Sequence, residues 1–395
     1  MQYQFGGFTL DTTSYELFAG DDPVNVEPQV FDVITVLLEH HGQLVTKEAI
    51  LDSVWGDRFV SESALTTRIK AARQALGDDG SRQEVIATVH GRGYKLVADV
   101  EVGDDGSAEA IADIEPPSQR IHLCTAGDGV RIAYATVGCG PPLVKAAHWI
   151  THLDYDWHSP VWRHWLDGLS RHRTLVRYDE RGCGLSDHDV EDWSHDAWVR
   201  DLATVVDELG LERFPILGVS QGGSVAVKYA ALNPDRVSHL ILLNTFLEGS
   251  MVRATSETDI EQAQLYVEMA RLGWGRDDPA FRQIFASEFM PDSPELWSAF
   301  CELLRRTTPA RNAAELMREW ATADVTELAE QLDVPTLILH VRDDMRVPFD
   351  QGLLAASKIK GSRLVPLEGR NHLFSPTEPA WGRVLDEIDE FLGDA

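Results

Sequence analysis

The sequence predicts two domains of different class: a small α+β unit of three helices and a hairpin, then a larger α/β unit. Three observations carry this. Residues 28–77 hold three short helical patterns, and "EVIATVHGRGYKLVA" at 84–98 follows as two β-rich runs around a glycine-rich turn. Residues 99–119, "DVEVGDDGSAEAIADIEPPSQ", hold seven acids and no base and end on a Pro-Pro pair, which is linker composition. From residue 120 onward, strand-like and helix-like runs alternate, the pattern of a sheet with crossover helices.

Bulk properties narrow the classes. A chain of 395 residues exceeds one typical domain, and 44% apolar content supplies a packed core. The formal net charge of −29 opposes nucleic-acid binding by the surface as a whole. "MQYQFGGFTL" has no basic region leading into an apolar one, and no apolar run is long enough to span a bilayer, so a cytoplasmic protein without a membrane partner is expected. Cys124, Cys139, Cys183 and Cys301 fit no zinc spacing and read as reduced thiols. His148, His152, His158 and His164 lack an acid or cysteine partner set, so no metal and no cofactor is expected.

In "PQVFDVITVLLEHHG", Phe31, Ile34 and Leu38 share a face, with Val30, Val33 and Leu37 beside them. "TKEAILDSVWG" opens on a capping residue, Thr46, and closes on Gly56. In "SESALTTRIKAARQALG", Leu65, Ile69, Ala72 and Leu76 form one apolar stripe. Thr66, Lys70 and Arg73 form a second, roughly 100° away by helix geometry. Short polar and cationic side chains on the outer face of a third helix suit a major groove.

Three helices and a hairpin make a winged helix-turn-helix. With "VWG" at 54–56 and "TVHGRGYKL" at 88–96, residues 3–98 resemble the OmpR/PhoB-type effector domain. The resemblance implies DNA as partner, recognition-helix contacts from Thr66, Arg68, Lys70 and Arg73, and a wing, with His90 and Arg92, reaching a minor groove. The family often carries arginine where His90 stands. It also implies repeated half-sites bound by two protomers, hence a homodimer on DNA. Residues 1–98 carry eight Lys and Arg against fourteen Asp and Glu, yet six of the eight bases fall in the third helix and wing region. Phosphate contact depends on that local charge.

In the larger unit, "RIHLCTA" and "VRIAYATVG" read as a leading hairpin. The strands "PPLVKAAHW", "TLVRYDERG", "FPILGVS", "VSHLILLNT", "VPTLILHV" and "SRLVPLEG" follow. Ser220 sits in "ILGVSQGGS" between a strand, "FPIL", and a helix, "GGSVAVKYAALNP", with Gly218 and Gly222 giving room for a strained turn. Asp344 and His372 each fall just past a later strand, at the same sheet edge as Ser220. "DERGCGLS" at 179–186 completes a D-x-R-G-x-G-x-S turn, read as structural.

These motifs make residues 120–395 resemble the α/β-hydrolase superfamily. The resemblance implies the order nucleophile, acid, histidine: Ser220, Asp344 and His372, with Asp343 as the alternative acid. It implies an oxyanion hole from the backbone N–H groups of Gln221 and Trp149. His148 replaces the family's usual glycine in that loop. Residues 246–333, with Trp274, Trp297 and Trp320, resemble the family's helical cap, which covers the site and selects substrates. Trp149, Trp157, Trp162 and Trp165 read equally as an apolar acyl pocket and as core.

The expected protein is therefore a DNA-binding domain (1–98), an acidic linker (99–119) and a capped α/β-hydrolase (120–395). The expected function is a transcription regulator whose hydrolase domain cleaves or senses a small ester, lactone or related acyl compound, as carboxylesterases and lactonases do. The alternative is a metabolic carboxylic-ester hydrolase whose winged helix is only an interaction module. A ligand sensor with an inactive triad fits less well, since a pure sensor has no need of all three residues.

Overall fold

The computed structural model describes residues 2–12, 16–20, 22–24, 26–55, 62–78, 80, 82–89, 92–98, 100–103 and 119–393. They separate into two compact units, Met1–Asp113 and Ile114–Ala395. Among the described residues, no helix is long and apolar enough to cross a membrane.

The first unit begins with strands β1 (Gln2–Phe5), β2 (Phe8–Asp11), β3 (Glu16–Ala19) and β4 (Asp22–Val24), an antiparallel meander that the sequence analysis did not assign. Each strand is only three or four residues long, too short for its alternation to stand out. Next come α1 (Pro28–Glu39), β5 (Val45–Thr46), α2 (Lys47–Trp55), α3 (Glu62–Ala75), and the wing strands β6 (Ile86–Val89) and β7 (Gly93–Leu96). This is the expected three-helix and hairpin order, and Thr46 Oγ1 caps α2 by accepting from Ala49 N at 3.1 Å. The expected closure of α2 at Gly56 lies outside the described residues.

One expectation is corrected. Residues 100–103 are not linker. They form β8 (Val100–Gly103), which pairs antiparallel with β1 and completes a five-stranded sheet. The acidic composition concealed them, because a short strand is stabilised by the ladder its partner offers and not by its own composition.

The core of this unit is the one its stripes predict. Phe31, Ile34 and Leu38 of α1 and Leu65, Ile69, Ala72 and Leu76 around α3 are all buried in one cluster. The second stripe of α3 holds a surprise. Arg73 is 9% exposed, and its guanidinium turns into the protein. It donates to the Ile86 carbonyl from Nε (2.9 Å) and Nη2 (2.7 Å), and to Thr88 Oγ1 at 2.8 Å. Asp78 accepts from the backbone N–H groups of Glu84, Val85 and Ile86. Arg73 therefore pins α3 to the first wing strand instead of standing in the outward stripe. A 100° step is coarse beside an arginine's reach, and the unpaired edge of β6 is an acceptor within it.

The second unit has an eight-stranded sheet. Its elements in chain order are β9 (Arg120–Thr125), β10 (Arg131–Val137), β11 (Pro142–Lys145), α4 (Leu153–His158), α5 (Arg163–Leu169), β12 (Thr174–Tyr178), α6 (His195–Glu208), β13 (Phe214–Val219), α7 (Gln221–Leu232) and β14 (Val237–Leu243). The helical insertion α8 (Glu257–Gly273), α9 (Ala280–Phe289), α10 (Trp297–Thr307), α11 (Ala310–Thr322) and α12 (Thr326–Ala329) comes next. Then β15 (Thr336–Val341), α13 (Phe349–Lys358), β16 (Arg363–Leu367) and α14 (Pro379–Leu392) close the chain. The strand order is β16-β15-β14-β13-β11-β12-β10-β9, parallel from β16 to β12, with β10 and β9 antiparallel at one edge. All eight strands coincide with the predicted runs. The inner ones are apolar on both faces because helices cover both.

Arg73→Ala is expected to lower the stability of the first unit by about 1–3 kcal/mol, since it leaves a buried carbonyl unpaired. Urea unfolding of the full chain checks this. An unchanged midpoint would return Arg73 to the outer face.

Candidate functional site

The parallel strands all end on one edge, and the loops there collect the candidate residues. The turn from β13 to α7 places Ser220 at φ +51°, ψ −127°, a region costly for a residue with a Cβ. The turn is held by Ser220 N donating to Leu243 O at 3.0 Å, and by Thr245 Oγ1 donating to Ser220 O at 2.6 Å. The glycines around it are steric necessities. A Cβ on Gly218 would lie 2.5 Å from Gly223 Cα, one on Gly222 would lie 2.6 Å from Ala147 O, and one on Gly223 would meet Thr245 Oγ1 at 1.9 Å.

The other two candidates meet. His372 Nδ1 and Asp344 Oδ2 are 2.7 Å apart, both residues buried. Asp344 Oδ1 accepts from the backbone N–H groups of Arg346 (2.7 Å) and Val347 (3.0 Å), which fixes the carboxylate. Asp343, the alternative acid, is exposed, whereas Asp344 is buried against His372. His372 Nε2 is buried with no hydrogen-bond partner among the described residues. The Phe289 ring stands edge-on to the imidazole at 5.1 Å.

Gln221 N–H is the first amide of α7 and has no acceptor within the helix. Trp149 lies in the loop after β11, beside Ile150, whose φ of +68° is an outlier for a β-branched side chain. His148, in the usual place of glycine, is buried against Trp162, with ring centroids 4.8 Å apart. Burial first, and then the Lys145 ammonium, hold its imidazole well below the ordinary histidine range, so it stays neutral.

Two supporting residues escaped sequence reasoning. Asn244, at φ +48°, donates from Nδ2 to His372 O at 2.8 Å and accepts at Oδ1 from Val341 N at 2.9 Å, tying the histidine loop to β15. The signal available was an Asn directly after an apolar strand, where the left-handed region is tolerated. Glu180, inside the "DERGCGLS" turn, accepts from Gln221 Nε2 at 3.0 Å and so reaches the residue after Ser220. The rest of that turn is structural. Arg181 is fully buried and bound bidentately to Asp201 at 2.8 and 2.6 Å, and a Cβ on Gly184 would lie 2.1 Å from Asp179 Oδ2.

Ser220, Gln221, Trp149 and Phe289 line a chamber with about 10 Å³ of room for the centre of a water-sized sphere, enough for one water. A larger chamber of about 510 Å³ lies outside it among the insertion helices. The two share Arg253, Trp320 and Arg346, which form a neck between them. Trp149 thus shares this chamber with Ser220, and Trp274 (5.4 Å) and Trp320 (6.3 Å) pack on it. Trp149, Trp162 and Trp165 all belong to the buried core cluster, and of the three Trp149 alone lines this chamber.

On the winged helix, Thr66 and Lys70 are exposed as expected, and Arg92 is exposed at the wing. Arg68 pairs with Glu27 at 2.7 Å and donates to Gln29 Oε1 at 3.0 Å, and Arg73 is buried as described. His90 lies outside the described residues. A Cβ on Gly93 would fall 2.0 Å from Val45 O, so this glycine lets the wing close on β5.

Comparison with known proteins fits this geometry. The family described as "alpha/beta hydrolase fold" matches residues 151–379, more than half of the chain. The chain belongs to the α/β-hydrolase family. Its hydrolase domain is 27% identical over 227 residues to the proposed carbamate hydrolase RutD of Pseudomonas savastanoi pv. phaseolicola, covering 55% of this chain and 84% of RutD. It superposes on the esterase RhEst1 of Rhodococcus sp. with a TM-score of 0.58 at 25% identity, covering 69% of this chain and 98% of the esterase. Ahead of the hydrolase domain, residues 21–96 match the family "Transcriptional regulatory protein, C terminal". The transcriptional regulator HilA of Salmonella typhimurium is 36% identical over 95 residues, which are 24% of this chain and 17% of HilA.

Burial pushes the Glu180 carboxyl up to about 8, although its hydrogen bond from Gln221 acts the other way. The folded state therefore keeps a proton that the unfolded chain releases near the ordinary glutamate value, and stability falls as pH rises between the two. Glu180→Gln carries no such proton. It is expected to gain on wild type by at most about 1.4 kcal/mol per pH unit from pH 5 to 8. Urea midpoints of the hydrolase domain at several pH values read this out. Parallel pH profiles for the two proteins would contradict the buried neutral acid.

Proposed function

We propose that the chain is a DNA-binding transcription regulator whose hydrolase domain is a serine hydrolase for a small ester, lactone or related acyl compound. The observation that carries the catalytic half is the buried Asp344–His372 pair at the sheet edge that also bears the strained Ser220 turn. In the proposed cycle His372 Nε2 takes the Ser220 hydroxyl proton as Oγ attacks the substrate carbonyl carbon. The oxygen's negative charge is met by the N–H groups of Gln221 and Trp149. His372 then gives the proton to the leaving alcohol, and the acyl–Ser220 ester remains. Water, deprotonated by His372, attacks it and releases the acid and free Ser220. Asp344 holds the Nδ1–H tautomer and favours the imidazolium formed at each step.

The regulatory half rests on the winged-helix family match and on the exposed Thr66, Lys70 and Arg92. With Arg68 and Arg73 engaged inside the domain, few cations remain to attract phosphate, and the net charge of −29 opposes non-specific binding. DNA recognition by two protomers on repeated half-sites would then depend on a few contacts. The same scarcity of free cations favours the second reading, a metabolic ester hydrolase whose winged helix serves as an interaction module.

An organophosphonate is expected to label Ser220, read by peptide mass spectrometry, and Ser220→Ala is expected to abolish the label. Asp344→Asn should cost orders of magnitude in kcat and Asp343→Asn little. The reverse order would move the acid. For the DNA half, fluorescence anisotropy on fragments enriched from genomic DNA should show Lys70→Ala binding about tenfold more weakly or worse, with a shallower salt dependence. Failure to enrich any sequence over random DNA would promote the second reading.

A further inference from the structure

The inner chamber places only one kind of charge beside the nucleophile. Among the described residues lining it, the charged ones are Arg253 and Arg346, and the rest are aromatic, apolar or the Ser220–Gln221 pair. Arg346 is deeply set, with Trp320 (5.0 Å), Tyr266 (5.2 Å) and Phe289 (5.4 Å) under its guanidinium, and it pairs with Glu288 at 3.0 Å. Tyr266 OH also donates to Glu288. Arg253 is different. Its guanidinium donates to a backbone carbonyl, Glu248 O, at 2.9 Å, lies 5.9 Å from the Phe246 ring, and forms no ion pair among the described residues. Burial, and then the neighbouring Arg346, pull it down to about 10. It still carries its charge at neutral pH.

The acids of the outer chamber do not supply the missing partner. Glu288 is held by Arg346 and Tyr266. Asp259 caps α8 through Thr255 and Ser256, and the Glu248 carboxylate accepts from Gln351 at 3.4 Å. Asp350 sits in the first turn of α13. Two guanidinium groups therefore supply the charged lining of the inner chamber beside Ser220; Asp344 and Glu248 act on Arg253 through space, and neither forms an ion pair with it among the described residues. A half-buried cation with no bonded carboxylate is stabilised when an anion joins it. A planar carboxylate matches the fork of either arginine.

We infer that the hydrolase site takes an acyl compound that itself bears a carboxylate, such as the half-ester of a dicarboxylic acid, with that carboxylate seated at the Arg253–Arg346 neck. This rests on the serine-hydrolase reading above. The outer chamber, about 510 Å³, accommodates the remainder of a small molecule. The one-water inner chamber admits an acyl carbonyl only when the neck parts, and a substrate carboxylate gives both arginines a partner in the parted arrangement.

The test compares the mono(4-nitrophenyl) ester of glutaric acid with the 4-nitrophenyl ester of its monoamide, equal in size and different in charge. Wild type is expected to prefer the acid by about tenfold or more in kcat/KM. Arg253→Gln should pull this ratio towards one, and Arg253→Lys should keep part of it. Glu288→Gln removes a competing anion and should raise the ratio, which keeps the question open to an answer if Arg253→Gln fails to fold. A wild-type ratio near or below one overturns the inference while leaving the hydrolase reading intact. So does a ratio unmoved by Arg253→Gln and Glu288→Gln. Turnover of neither ester, together with no phosphonate label on Ser220, sinks the hydrolase reading and this inference with it.

Discussion

The close approach of α7 to the ends of β13 and β14 governs the rest of the hydrolase domain. Three close contacts set it: Gly218 against the Gly223 backbone, Gly222 against the Ala147 backbone, and Gly223 against the Thr245 side chain. Each leaves no room for a methyl group. Only with α7 this near can Ser220 take its unfavourable backbone angles, at a cost of about 1–3 kcal/mol offset by surrounding packing. The Gly222–Ala147 contact also draws in the loop that carries His148 and Trp149. One steric constraint therefore places the candidate nucleophile and both candidate oxyanion donors.

Around that turn the domain is built from buried polar groups that are mostly paired. Arg181 and Asp201, Asp179 with the Leu153 and Leu185 amides, and Asp344 with His372 all lie within the fold and are hydrogen-bonded. Burying them is tolerable because each charge or dipole finds a partner. Against this background the groups left without one are informative. His372 Nε2 has no hydrogen-bond partner among the described residues, and Arg253, beside Ser220, is bonded to a backbone carbonyl and to no carboxylate among them. Glu180 resolves the same conflict differently, by keeping its proton.

The winged helix faces the opposite problem, a shortage of positive charge. Two of the four cations expected to face outward are engaged inside the unit. Arg73 joins α3 to the wing, and Arg68 joins α3 to the start of α1 through Glu27 and Gln29. Both tie α3 to the elements packed beside it.

The sequence by itself determined the two-domain plan, all eight strands of the larger sheet, the apolar stripes of α1 and α3, and the positions of Ser220, Asp344 and His372. Each follows from local periodicity or from a turn that only certain residues permit, and such signals are written in consecutive residues. What the tertiary structure decided lies between residues far apart in the chain. It buried Asp344 beside His372 and left Asp343 exposed in the turn after β15. It turned Arg73 inward, because a carbonyl thirteen positions later came within reach of a long side chain. It recruited residues 100–103 as a strand, because β1 had an open edge. It brought Arg253 and Arg346 to one neck beside Ser220, although 93 positions separate them in the sequence, because the insertion helices fold back over the sheet edge where β15 ends.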